Sequence, residues 1–339
     1  MLYKFDEILV DDTKSCKKIK KQDYLTTGKY PIIDQGQTKV SGYWNDAHDL
    51  YEDVPAIIFG DHTRVVKYID NPFFIGADGV KVLKCKNKDV NYKYLFYLLK
   101  SIYIPNTGYN RHFKWIKNTQ FYVHDIKDQK RIVNTLEFIS NIINLRRQQL
   151  EKLDLLVKAK FSEMFSENNF PFKCWDDVFN VKTGKLDSNA SKDNGRYAFF
   201  TCSKKPLRID TYSFDQEALL LSGNNAAGKY DVKYYKGKFD AYQRTYVLSL
   251  KELGSYRMFQ LQLEEKLQQL QNQSLGGLTK YLTLKILQNL KFVVPDIETQ
   301  KEFENFVCFI DKEKTNINKS LELYKILNQS LKQKYFMEH

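Results

Sequence analysis

"QKRIVNTLEFISNIINLRRQQLEKLDLLVKAKFSEMF", Gln129 to Phe165, is the stretch from which the fold is read. At alternating spacings of four and three, Ile132, Leu136, Ile139, Ile143, Arg146, Leu150, Leu153, Val157, Lys160 and Met164 fall on one seam, and only Arg146 and Lys160 are polar. Apolar residues recurring at a mean spacing near 3.5 stay on one helix face, so this is a helix built to pair with another helix. Displaced by 171 positions without a gap, the same spacing gives Phe303, Val307, Ile310, Lys314, Ile317, Leu321, Tyr324, Asn328, Leu331 and Tyr335. The seam occurs twice.

The repeat reaches back into the approach to each helix. "NTQFYVHDIKDQKRIVNTLEFI" from Asn118 aligns with "NLKFVVPDIETQKEFENFVCFI" from Asn289, with identities that include Phe121/Phe292, Val123/Val294, Asp125/Asp296, Gln129/Gln300 and Asn134/Asn305. Identities continue through Ile139/Ile310, Leu150/Leu321 and Phe165/Phe336, which marks an internal repeat. Asp125 or Asp128 can cap the first helix, and Asn168, Asn169 and Pro171 are breakers after it. Residues 132–165 as helix would span about 50 Å, too long for one small domain. The polar seam residues Arg146, Lys314 and Asn328 either set register against an answering partner or sit where the helices part and water enters.

The globular parts repeat more loosely. "KFDEIL" from Lys4 parallels "CWDDVF" from Cys174, "GKYPIID" from Gly28 parallels "GRYAFFT" from Gly195, and "IIFGD" from Ile57 parallels "LLLSGN" from Leu219. "ADGVKVLK" from Ala77 parallels "AYQRTYVLSLK" from Ala241. In the first half, short β-rich runs at Tyr30, Val54, Val65 and Gly79 precede a helical "NYKYLFYLLKS" from Asn91; in the second, a helix is expected over about 253–270. The fold class is therefore α+β: two similar globular domains, each followed by a long coiled-coil helix. The expected division is 1–120 and 169–291 for the globular domains, with 121–168 and 292–339 for the strand and helix that follow each.

Composition sets the outer bounds. The 339 residues carry 53 Lys plus Arg against 41 Asp plus Glu, a net charge of +12, which favours an anionic partner such as nucleic acid; a Lys- and Asn-rich composition gives the same excess without one. Cys16, Cys85, Cys174, Cys202 and Cys308 show neither disulfide pairing nor metal-ligand spacing. No apolar run approaches a membrane span, and Asp6 and Glu7 stand where a signal peptide needs apolar residues, so a cytoplasmic location and no membrane partner are expected.

No catalytic constellation stands out: there is no G-x-S-x-G elbow, P-loop or H-E-x-x-H, and His48, His62, His112, His124 and His339 form no pattern. Asp231 with Lys233 imitates one end of a nuclease site, a spacing that chance supplies in any Lys-rich chain. No catalytic residue, metal site or cofactor is assigned to this chain. The candidates for DNA contact are loop residues whose amides and cations can meet base edges or phosphates. In the first half these are Gln37, Thr38, Lys39, His62, Thr63, Arg64 and the segment Tyr109 to Lys114, with Asn110, Arg111, His112 and Lys114 foremost. In the second half they are Lys204, Lys205, Asn224, Asn225, Gln243, Arg244, Asn272, Gln273 and Lys280. For each, a solvated loop side chain is the bland alternative.

Two variable α+β domains, each followed by a matched helix with a "P-x-x-x-x-Q" type entry, resemble the specificity subunit of a Type I restriction-modification system. "FVVPDIETQKEFENFV" from Phe292, its twin "FYVHDIKDQKRIVNTL" from Phe121, and the endings "LLVKAKFSEMF" and "ILNQSLKQKYF" carry the resemblance; His124 departs from it where Pro295 keeps the proline. The resemblance implies two target recognition domains, each reading half of a split sequence in double-stranded DNA, held apart by the two long helices, which would pack as an antiparallel coiled coil. It implies DNA methyltransferase subunits, two of them, that dock on the helices and bring S-adenosylmethionine for adenine methylation. A translocating nuclease subunit using ATP and Mg would join for restriction. Seam residues Ile132, Leu136, Ile139, Ile143, Leu150, Leu153, Val157, Phe303, Val307, Ile310, Ile317, Leu321, Tyr324 and Leu331 would carry helix and partner packing. A coiled-coil scaffold that binds proteins rather than DNA is the rival reading, and a stand-alone site-specific nuclease is another.

Overall fold

The computed structural model describes residues 1–337 apart from 88, 109, 167–169, 226–227 and 278. Tyr109, the breakers Asn168 and Asn169, and His339 lie outside the described residues. The chain forms two compact units: Met1–Arg147 with Lys319–His339, and Gln148–Asn318. Each unit holds a segment of both long helices, Ile126–Phe165 and Ile297–Phe336.

The first unit begins with the strand Leu2–Lys4, paired antiparallel with Gln120–Tyr122 so that Tyr3 meets Phe121. A single helical turn, Phe5–Ile8, drops Phe5 and Ile8 into the core. One sheet then runs in the order Leu9–Asp11, Val80–Cys85, Ala56–Gly60, Val66–Ile69. Ala56–Gly60 is buried along its whole length, as an unbroken apolar run requires. A second sheet runs in the order Lys18–Ile19, Phe74–Gly76, Tyr30–Ile33, Gly42–Trp44. The helix Tyr92–Ser101 is capped by Asn91, whose side chain accepts from the N–H groups of Lys93 and Tyr94.

In the second unit, Phe172–Cys174 pairs with Lys291–Val293 and the turn Trp175–Val178 follows. A single six-stranded sheet has the order Phe179–Thr183, Thr245–Leu250, Phe214–Ser222, Val232–Ala241, Tyr197–Phe200, Leu207–Ile209. Its first four strands repeat the first sheet of the other unit in the same order, and all four loose sequence matches fall in equivalent elements. The difference has a simple cause. Val232–Ala241 is long enough to pair onward, in parallel, with Tyr197–Phe200; its four-residue counterpart Val66–Ile69 is not, and Tyr30–Ile33 pairs with Phe74–Gly76 instead. The helix expected over about 253–270 runs from Tyr256 to Gln273, its start fixed by the Ser255 cap.

Both long helices have 40 residues, about 60 Å each. Every residue of the two seams is buried or half-buried, and the pairing is antiparallel. In the second unit Phe303, near the start of one helix, packs edge-to-face against Phe161 and Phe165 near the end of the other, with ring centroids at 5.9 and 5.3 Å. In the first unit the late residues Leu331, Tyr335 and Phe336 pack on the core that contains the early residues Ile132, Val133 and Leu136. Lys314 is answered by Asp154 at 2.5 Å, while Asn328 keeps a buried oxygen without a hydrogen-bond partner.

The entry glutamines do the same work in both halves. Gln129 is buried; its Nε2 donates to the His124 carbonyl at 2.8 Å and its Oε1 accepts from the N–H of Asn91 at 2.8 Å. Gln300 donates to the Pro295 carbonyl at 2.9 Å and accepts from the N–H of Ser255 at 3.0 Å. Asn91 and Ser255 are the caps of the domain helices, so each glutamine ties its globular part to the first turn of its long helix. Asp125, rather than Asp128, caps the first long helix, accepting from the Asp128 N–H at 2.8 Å, as Asp296 does from Thr299 at 2.9 Å.

Candidate nucleic-acid interface

In the first unit three loops that are far apart in sequence meet around Gln35. Its side-chain oxygen accepts from the His62 N–H at 3.1 Å and its backbone oxygen from the Thr63 hydroxyl at 2.5 Å. His62 in turn places Nδ1 3.2 Å from the Asn110 carbonyl oxygen. Such close approach requires Gly60, since a Cβ there would fall 2.2 Å from the Thr63 hydroxyl. Arg64 adopts a positive φ of 61°, held by its N–H on the Gly60 carbonyl at 2.7 Å and by Nη1 on the Ile104 carbonyl at 3.2 Å. A non-glycine residue in this region stores strain, which is typical of loops shaped for a ligand.

The result is a cleft of about 530 Å³ whose lining includes Gln37, Lys39, Thr63 and Arg64. Thr38 is exposed beside them, and Asn110, Arg111 and Lys114 are exposed on the third loop. Lys67, Tyr68 and Lys100 also line the cleft. They lay hidden in the sequence as ordinary members of a strand and a helix. The third loop runs into a short helix, Phe113–Lys117, which carries Lys114. His112 departs from the expected role: it is fully buried, with its N–H and Nδ1 2.8 and 2.9 Å from the Asp61 carbonyl oxygen. Its ring holds the turn together and is not presented to solvent.

Asp34 anchors the loop that carries Gln37 to Lys39. Burial raises its pKa, but the Ser41 hydroxyl, the Gly36 N–H at 2.8 Å and the Lys67 ammonium outweigh this and hold the carboxyl below its usual range. A depressed folded-state pKa means that its stabilisation is present above the unfolded value and is lost as pH falls through the folded one. Acidification from about pH 5 to pH 3 is expected to lower the protection of the Gly36 amide, its exchange rate taken relative to that of an unfolded chain at the same pH, with little change in protection between about pH 7 and pH 5. Constant protection through the acid range would show that the carboxylate does not hold this loop.

In the second unit the strand pair Asn224–Asn225 with Lys280–Tyr281 gathers several candidates. Cys202 donates to the Asn224 side-chain oxygen at 2.7 Å, which brings the exposed loop of Lys204 and Lys205 alongside. The Gly223 N–H donates to the Arg244 carbonyl at 2.8 Å, drawing in the exposed Gln243 and Arg244. Asn272 and Gln273 are exposed at the end of the helix whose next residues lead to Lys280. Asp231 forms an ion pair with Lys233 and accepts from the Ser222 hydroxyl, so the pair that imitated a nuclease end is engaged in a local ion pair. Among the described residues no cluster of His, Cys, Asp and Glu could hold a metal ion, and no helix is long and apolar enough to cross a membrane.

The family model described as the Type I restriction modification DNA specificity domain matches twice, over residues 4–155 and 167–326, and the chain belongs to that family. It is 47% identical over 72 residues to the Type I restriction enzyme EcoDI specificity subunit of Escherichia coli, covering 21% of this chain and 16% of that one. It is 30% identical over 103 residues to the EcoR124I/EcoR124II specificity subunit of the same organism, covering 30% and 26%. The matches thus span about a sixth and a quarter of those relatives. In fold it is similar to the crystal structure of the S subunit from M. genitalium, with a TM-score of 0.63 at 16% identity over 100% of this chain and 96% of that one. It is also similar to a chain from a study of assembly and conformational transition in the type I R-M system, with a TM-score of 0.55 at 15% identity over 98% and 96%.

Proposed function

We propose that the chain reads a split target in double-stranded DNA and directs partner subunits to it, itself supplying recognition and no catalysis. The carrying observation is that a globular domain with converging polar loops occurs twice, each tied by a buried glutamine to a long helix. In this reading residues 1–120 and 169–291 each read one half-site, and residues 121–168 and 292–339 fix the gap between them. Bidentate side chains such as Gln37, Arg64, Asn224 and Arg244 meet base edges, while Lys39, Lys114, Lys204, Lys205 and Lys280 hold phosphates. The chain needs no cofactor. Two DNA methyltransferase subunits bring S-adenosylmethionine and methylate adenine, and a nuclease subunit brings ATP and Mg for restriction. The complex works in the cytoplasm.

The test is co-expression with the neighbouring methyltransferase, followed by genome-wide mapping of methylated adenines against a partner-free control. A motif with two specified halves and a fixed gap is expected. Exchanging residues 1–120 for those of a relative should change one half only. An assembled complex that leaves no methylation would refute the reading and favour the protein-binding scaffold.

A further inference from the structure

A cavity of about 520 Å³ opens in the first unit between the helix Tyr92–Ser101 and the segments of the two long helices that belong to that unit. Lys100, Arg147, Lys325 and Lys332 line it, and none of its described lining residues is acidic. Lys325 has Glu322 on its own helix at 2.6 Å, and Lys100 lies over the Phe96 ring at 5.3 Å. Burial, and then the nearby Lys100 charge, push the Lys332 ammonium below its ordinary pKa. Cations held close in a partly desolvated recess repel one another, and an anion entering it relieves the repulsion. Asn328 also lines the cavity, and its side-chain oxygen is buried without a hydrogen-bond partner.

The repeat provides an internal control. The equivalent cavity of the second unit, about 330 Å³, is lined by Asp154, Lys158, Arg257, Glu264 and Lys314. Asp154 occupies the place of Lys325 in the repeat. Glu264 stands as far beyond the Ser255 cap as Lys100 stands beyond Asn91. Here the charges neutralise one another: Lys314 meets Asp154 at 2.5 Å and Arg257 meets Asp311 at 3.3 Å. Two cavities of the same ancestry thus differ in charge, one cationic and one balanced.

We infer that the cationic cavity takes a backbone phosphate of the DNA bound in the adjoining cleft, and that its counterpart in the second unit takes none. This rests on the DNA-reading function proposed above. DNA is favoured over an acidic segment of a partner because the cavity adjoins the cleft of Gln37, Lys39 and Arg64, with Phe96 and Lys100 lining both. The recess extends the cationic surface of the cleft toward the long helices.

The test is the salt dependence of target binding by the assembled methyltransferase complex. The doubly substituted Lys100→Gln/Lys332→Gln chain is expected to make log K against log salt shallower by about 0.9, the change for one phosphate no longer neutralised. Lys158→Gln, in the balanced cavity, should leave the slope unchanged. Ethylation interference on the unsubstituted complex should mark a phosphate on the gap side of one half-site only, a readout that survives if the double variant misfolds. An unchanged slope, or interference at the gap-side phosphates of both half-sites or of neither, would overturn the inference, as would loss of assembly in a folded double variant, which would point to an acidic partner segment. If the unsubstituted complex recognises no split target, it is the parent reading that has failed.

Discussion

Phe303→Ala is expected to destabilise the second unit by about 3–5 kcal/mol, the range for deleting a fully buried aromatic side chain. Phe303 is 0% exposed and touches both Phe161 and Phe165, so truncation empties a space that three rings fill from two helices. Those rings belong to the core that also holds Trp175, Phe179 and Phe292, which leaves little freedom for the cavity to collapse. Urea unfolding of the full chain, with hydrogen exchange to locate the loss, measures the effect. The loss should fall on residues 148–318. Phe309→Ala serves as the control, because Phe309 lies on the same helix but is 61% exposed, and it should change stability by less than about 0.5 kcal/mol. Equal effects from the two substitutions would mean that the seam is not what holds the helices.

Gln300→Leu is the second large effect, expected at about 2–6 kcal/mol from two buried backbone groups left unpaired at roughly 1–3 kcal/mol each. The side chain satisfies the Pro295 carbonyl and the Ser255 N–H at once, and leucine of similar size satisfies neither. Gln129→Leu should behave alike in the first unit through His124 and Asn91. Gln300→Glu keeps the acceptor for Ser255 and loses the donor to Pro295, so the Ser255 amide should stay protected from exchange in Glu and become labile in Leu. Because this side chain couples a globular domain to its helix, the proposed function adds that the leucine variants should also blur the half-site assigned to that domain alone. Unaltered stability in both leucine variants would reduce the entry glutamines to helix-start markers.

The corresponding positions Gln129 and Gln300 could be found in the sequence by alignment, yet their partners could not. The bonds to Asn91 and Ser255 cross 38 and 45 residues, and no local pattern records such a distance. The same limit explains the cleft of the first unit. Thr63 and Gln35 are 28 residues apart, so the loops of Gln37, His62 and Asn110 could be proposed as separate candidates but not as one surface. Lys67 and Lys100 escaped notice because a lysine in a strand or helix usually marks a solvated face. His112 misled for the opposite reason: a basic residue beside Arg111 suggests exposure, while its burial depends on Asp61, 51 positions away.

The sequence by itself determined the two long helices, their seams and the duplication of the whole plan. Periodicity and repetition are properties of the chain read in order, and a helix face is set by residues three and four apart. Only the tertiary structure decided which loops converge, why one sheet has six strands where its counterpart has four, and which of two equivalent cavities stays cationic. Those outcomes turn on strand length, on long-range hydrogen bonds and on which charges come face to face, and these are settled by packing.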